Sequence, residues 1–213
     1  MRAASDAHRS SCVVGTIPEG LEVRRLFTPV MATLFLVRHG SIDGMRERLI
    51  GRGDVGLNKQ GRNEAARAAD ACRRLGVAAV ASSPRRRARE TAEIIAESLE
   101  CGVHVVDAFD EVDYGLWSGR PFADLAADPE WRRFNDQRDD AQIPGGESLD
   151  AVSRRIRVGL ETLCEQHRHC DVVVVTHAEI IRGALLLTES HTGSSWSLYQ
   201  PEPASITPVR WAT

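Results

Sequence analysis

The sequence predicts an α/β domain, a three-layer α/β/α fold with a mostly parallel central sheet. Three observations predict it. Short apolar runs of strand length alternate with stretches whose apolar residues recur at helical spacing. One run, Asp171 to Thr176, is nearly continuous valine, the pattern of a strand buried on both faces. Chemically capable side chains follow directly after these runs, where open parallel sheets present their ligand sites.

The elements follow in chain order. Residues 1–31 lack periodicity and are rich in Ser, Ala and Arg. They are read as an N-terminal extension, either loosely packed or upstream of a translation start at Met31. Residues 32–213 are read as one domain. Thr33 to Val37 is a strand. A helix over 60–74 carries Ala65, Ala68, Ala69 and Cys72 on related faces. Val77 to Ala81 is a second buried strand. The next helix, Arg85 to Leu99, has the stripe Ala88, Ala92, Ile95 and Leu99. Val103 to Val106 is a short strand. Residues 107–147 are irregular, with helical pieces near 121–127 and 129–137, and 118–145 is read as a lid. Ser148 caps a long helix with the stripe Val152, Ile156, Leu160 and Leu163. After the valine strand, Ile180 to Leu187 is helical, and Ser205 to Trp211 is an edge strand. Trp117, Trp131, Trp196 and Trp211 are read as core or rim packing.

Size and charge narrow the function classes. The 213 residues suit one domain with a sizeable core. A net charge of −3 argues against a nucleic-acid partner. No apolar run approaches the ~20 residues needed to cross a bilayer, so no membrane partner is expected. The five cysteines are odd in number and irregularly spaced, which reads as reduced thiols in a cytoplasm. Cys164, His167, His169 and Cys170 do not match a zinc spacing and straddle a helix end, so they are read as structural. No metal is expected.

Arg38-His39-Gly40 follows the first strand, Ser83 to Ala92 the second, and His177 the valine strand. All three should meet at one edge of the sheet. Two histidines with two arginines form a phosphate site. Guanidinium forks bind phosphoryl oxygens and keep their charge. A neutral imidazole can attack phosphorus. A second can stabilise charge on a non-bridging oxygen. Gly40 permits close backbone approach or a positive φ. A proton for a leaving oxygen must come from the acidic stretch 110–113, where Asp110, Glu111 and Asp113 compete. Arg85, Arg86 and Arg89 are read as a solvated helix face, and Arg87, by its register, as a phosphate contact.

The ordered blocks resemble the histidine phosphatase superfamily, the phosphoglycerate mutase-like proteins. They are Leu36-Val37-Arg38-His39-Gly40, Gly51 to Gly61, Ser83 to Ala92, Glu111 with Tyr114 to Gly119, Pro144 to Ser148, and Val173 to His177. The resemblance implies a phosphoglycerate mutase-like fold. It implies that His39 becomes phosphohistidine, that Arg38, Arg87 and His177 hold the phosphate, and that Glu111 serves as acid and then base. No metal or organic cofactor is implied. The chain departs from the family at Ser41 to Met45, where acidic, Thr and Asn residues are usual; Ser41 is expected to donate to phosphate. It departs again at Ala178-Glu179, where glycines are usual. Glu179 is expected either to disfavour highly anionic substrates or to pair with Arg182.

The implied activity is hydrolysis of a small phosphomonoester of the sugar phosphate, nucleotide or α-ribazole phosphate type, by a monomer or homodimer. Histidine acid-type phosphatase chemistry is preferred to mutase transfer because mutases of this family are generally longer. The alternatives are a phosphoglycerate mutase-type transfer and a non-catalytic phospholigand-binding protein.

Overall fold

The computed structural model describes residues 31–138, 142–168, 170–188 and 199–212. The extension at 1–30, Trp196 and His169 lie outside them. Its strands are β1 (Met31–Arg38), β2 (Ala79–Ser82), β3 (Val103–Val105), β4 (Val172–Thr176) and β5 (Ile206–Ala212). Its helices are α1 (Lys59–Leu75), α2 (Arg86–Ser98), α3 (Phe122–Ala127), α4 (Pro129–Asp136), α5 (Leu149–Gln166) and α6 (Ala178–Thr188).

The sheet order is β3-β2-β4-β1-β5. The first four strands run parallel, and β5 closes the edge antiparallel to β1. The side-chain period of two explains the three layers. Leu34 and Leu36 of β1, with Val172 and Val174 of β4, face a core shared with Ile156 and Leu160 of α5 and Ile180 of α6. Val37, Val173 and Val175 face the opposite core, with Ala68 and Cys72 of α1 and Ala88, Ala92 and Ile95 of α2. Both faces of β4 are therefore buried, as its run of valines requires.

Local chemistry marks the helix ends. Asn58 accepts from the Gly61 amide at 2.8 Å to start α1, and Gly76 ends it at φ 71°. Ser148 accepts from the Ala151 amide at 3.1 Å to start α5. The second strand begins two residues later than the apolar run suggests. Val77 packs in the core, but pairing with β4 starts at Ala79 against Val172. Helix α6 begins directly after His177, whose carbonyl accepts from Ile181. Within 118–145, α3 and α4 bury Leu125 and Phe134 in the core beside α5.

Candidate active site

The parallel ladder brings three strand ends to one edge. The His39 amide donates to the Thr176 carbonyl at 2.9 Å, and the Ser83 amide to Val175 at 2.9 Å. The residues after β1, β2 and β4 are thereby held side by side. His39 and His177 meet with ring centroids 5.2 Å apart. Gly40 is required by close approach rather than by positive φ. A Cβ there would overlap the Gly61 carbonyl, where α1 begins against the loop after β1.

The ring partners determine the tautomers. Nδ1 of His39 lies 2.8 Å from the Gly40 carbonyl, which can only accept, so Nδ1 carries the proton. The lone pair is then on Nε2, where Arg87 Nε donates at 3.2 Å. Burial, and then the Arg87 charge, hold His39 well below the ordinary imidazole range. His177 is placed the other way. Its Nδ1 receives Arg87 Nη2 at 3.2 Å, so Nε2 donates to Ser83 Oγ at 2.8 Å. Burial and Arg87 also push His177 down.

Arg87 is 1% exposed and is the hub of the site. Besides both imidazoles, it donates to the carbonyls of Gly51 at 2.7 Å and Gly53 at 3.1 Å. Arg38 is anchored on the Pro201 carbonyl at 2.7 Å, while its buried Nε has no partner among the described residues. Glu111 places Oε2 3.8 Å from Arg87 and 3.6 Å from His177 Nδ1. Burial raises its pKa from 4.5 to about 7, against the lowering pull of Arg87. A carboxyl poised there can give and take a proton near neutrality.

The competing acids are otherwise engaged. Asp110 accepts Arg85 at 2.7 and 2.8 Å and pairs with Arg52 at 3.3 Å. Asp113 binds Arg52 and the Gly115 amide. Their loop is clamped from behind. Arg155 of α5 donates to the carbonyls of Ala108 at 2.8 Å and Asp110 at 2.7 Å, and pairs with Glu147 at 2.7 Å. Arg52 Nε reaches the Glu111 carbonyl at 2.9 Å.

Arg38, His39, Arg87 and Glu111 line one cavity of about 930 Å3, with His177 fully buried beside Arg87 and Glu111. Ser41 is not brought to it. Its hydroxyl and amide both donate to buried Glu64, at 3.0 and 2.8 Å, and it lines a neighbouring cavity. The solvated reading of Arg85 is also corrected, because its guanidinium is spent on Asp110; Arg86 and Arg89 are exposed as expected. Trp117 is core, whereas Trp131 lines the cavity. Sequence reasoning missed the supporting residues. Thr91 accepts from the Gly40 amide at 3.1 Å and Ser83 orients His177. Both lie in the Ser83–Ala92 block, but nothing local marks their partners. Among the described residues no acid, cysteine and histidine cluster could hold a metal, and no helix is long and apolar enough to cross a membrane.

A bifunctional protein of Mycobacterium tuberculosis is 41% identical over 157 residues, 72% of this chain and 43% of that protein. The chain thus spans less than half the length of that relative. A probable phosphoglycerate mutase of Salmonella paratyphi B is 33% identical over 161 residues, 74% of each protein. The solved structure of a mycobacterial glucosyl-3-phosphoglycerate phosphatase superposes with a TM-score of 0.75 at 27% identity, covering 84% of this chain and 90% of its own. The sequence model of the histidine phosphatase superfamily (branch 1) matches residues 34–213, across every strand and helix that builds the cavity. With that match and these relatives, the chain belongs to the histidine phosphatase superfamily.

Proposed function

We propose that the protein hydrolyses small phosphomonoesters through a phosphohistidine at His39. The observation that carries this reading is His39 with Nδ1 against the Gly40 carbonyl and Nε2 facing Arg87, in a cavity that also holds Arg38 and Glu111. In the first step the Nε2 lone pair attacks phosphorus and the P–O ester bond breaks. Glu111 gives its proton to the departing oxygen, and the alcohol leaves. Arg87 and the unpartnered Nε of Arg38 receive the phosphoryl oxygens. The incoming dianion raises the pKa of His177, so that Nδ1 becomes a donor to the same group. In the second step water attacks phosphorus, ionised Glu111 takes its proton, and the P–N bond breaks. Inorganic phosphate leaves and His39 returns neutral.

Hydrolysis is favoured over mutase transfer by the short segment available to cover the site, residues 118–145. The mycobacterial structural relative is itself named for a phosphatase activity. The mutase reading keeps support from the Salmonella relative's name. The decisive experiment incubates wild type with p-nitrophenyl phosphate, measures nitrophenol release, and quenches into base to preserve an acid-labile phosphohistidine. Both signals are expected in wild type, and His39→Ala should lose both. Full activity in His39→Ala would overturn the covalent route. Conversion of 3-phosphoglycerate to its isomer, with no phosphate released, would replace the hydrolase with a mutase.

A further inference from the structure

One wall of the cavity carries Glu179, Arg138 and Arg182, none of which the proposed chemistry uses. Glu179 stands in the first turn of α6, two residues after His177. Its Oε2 accepts from Arg138 Nη1 at 2.8 Å, and its Oε1 pairs with Arg182 Nη1. The three side chains are only 9–14% exposed. Arg182 is further held by the Tyr199 carbonyl at 2.7 Å and by Gln200. The Arg138 guanidinium lies 4.7 Å over the Phe134 ring.

We propose that Glu179 is a specificity-determining residue that makes the pocket select phosphomonoesters with an uncharged, largely apolar body over those with a carboxylate beside the phosphate. The inference rests on the phosphomonoesterase reading above. A substrate carboxylate needs a cation near the phosphoryl group. Arg38 and Arg87 are committed to the phosphoryl oxygens. Arg138 and Arg182 already hold a carboxylate, in a largely buried setting where charge interactions are strong. A second carboxylate there meets Glu179 itself, and Asp136 adds another negative charge to the wall. Arg48 also lines the cavity, but it is exposed and its charge is screened by water and salt. The remaining wall, with Ile42, Leu49, Phe122 and Trp131, offers apolar contact. The cavity, at about 930 Å3, is far larger than a phosphoryl group needs. The device is repulsive as well as attractive, as discrimination between similar ligands requires.

The experiment compares kcat/KM for butyl phosphate and 3-phosphoglycerate in wild type, Glu179→Gln and Glu179→Ala, at one pH. Both are primary alkyl esters with similarly basic leaving groups, so their ratio on one enzyme cancels changes in Glu111 proton donation, which the Glu179 charge also biases. Wild type should prefer the butyl ester by about a hundredfold or more, the size of one or two charge interactions. Both variants should improve the 3-phosphoglycerate side of the ratio by about tenfold, chiefly through KM. Thermal melts on each variant separate this from unfolding, and Glu179→Gln keeps the side-chain volume and one acceptor if Glu179→Ala does not fold. A wild-type preference for 3-phosphoglycerate, or a ratio unchanged in Glu179→Gln, overturns the inference while leaving the hydrolase intact. Hydrolysis of neither ester by wild type overturns the hydrolase reading and this inference with it.

Discussion

Glu111→Gln tests the acid role through two independent readings, both set by burial. Burial moves this carboxyl from 4.5 to about 7. Its folded-state pKa is thus raised, so the folded protein holds a proton that the unfolded chain releases. Stability from this group is intact below pH 4.5 and falls as pH rises toward 7. At 1.36 kcal/mol per pH unit, the charge costs the folded state about 3 kcal/mol by pH 8. Gln has nothing to ionise. In urea melts the stability difference between Gln and wild type should therefore shift toward Gln by about 2 to 3 kcal/mol between pH 5 and pH 8. His39, His177 and the arginines are common to both proteins, so the difference isolates Glu111. The kinetic reading follows from the same shift. At pH 6 a group with a pKa of about 7 is about nine-tenths protonated, against a few per cent for an ordinary carboxyl. Gln donates no such proton. An alkyl phosphate, whose leaving group is strongly basic, should slow by ~100-fold or more in Glu111→Gln. p-Nitrophenyl phosphate, which departs as a weakly basic phenolate, should slow far less. The descending limb near pH 7 in the alkyl phosphate profile should vanish. A stability difference flat with pH, or equal losses on both esters with the limb retained, refutes the reasoning.

Two further substitutions probe the scaffold. Gly61→Ala sets helix propensity, which favours Ala by about 1 kcal/mol, against a Cβ that overlaps the Ser41 carbonyl. Because the neighbour is backbone, overlap wins; denaturant melts should show a loss of about 1 to 3 kcal/mol, and kcat should fall because Ser41 adjoins Gly40. A stabilised, fully active Gly61→Ala would show that the loop yields freely. Arg155→Met removes the donor to two loop carbonyls and to Glu147, so it should destabilise by about 3 kcal/mol and loosen Glu111. Thermal melts and the alkyl phosphate pH profile check it, and an unshifted profile would leave Arg155 a purely structural role.

Much of this molecule is legible along the chain. The order of strands and helices, the doubly buried valine strand and the caps at Asn58 and Ser148 follow from local periodicity and local hydrogen bonding. So does the meeting of Arg38, His39 and His177, because each is tied covalently to the end of a strand in one parallel ladder. Which carboxyl of the acidic loop lines the cavity was not legible from residue chemistry alone. Asp110, Glu111 and Asp113 share one loop, and their order in sequence does not say which faces the cavity. That is decided by Arg85 taking Asp110 across 25 positions and Arg52 taking Asp113 across 61. Arg85 looked solvated and Ser41 looked available for the same reason, since Asp110 and Glu64 come to them only on folding. His39 shows the division most plainly. Sequence alone determined that His39 stands at the end of the first strand. Tertiary structure alone decided its state: Arg87, 48 positions away, points at Nε2, and burial removes the water that would protonate it.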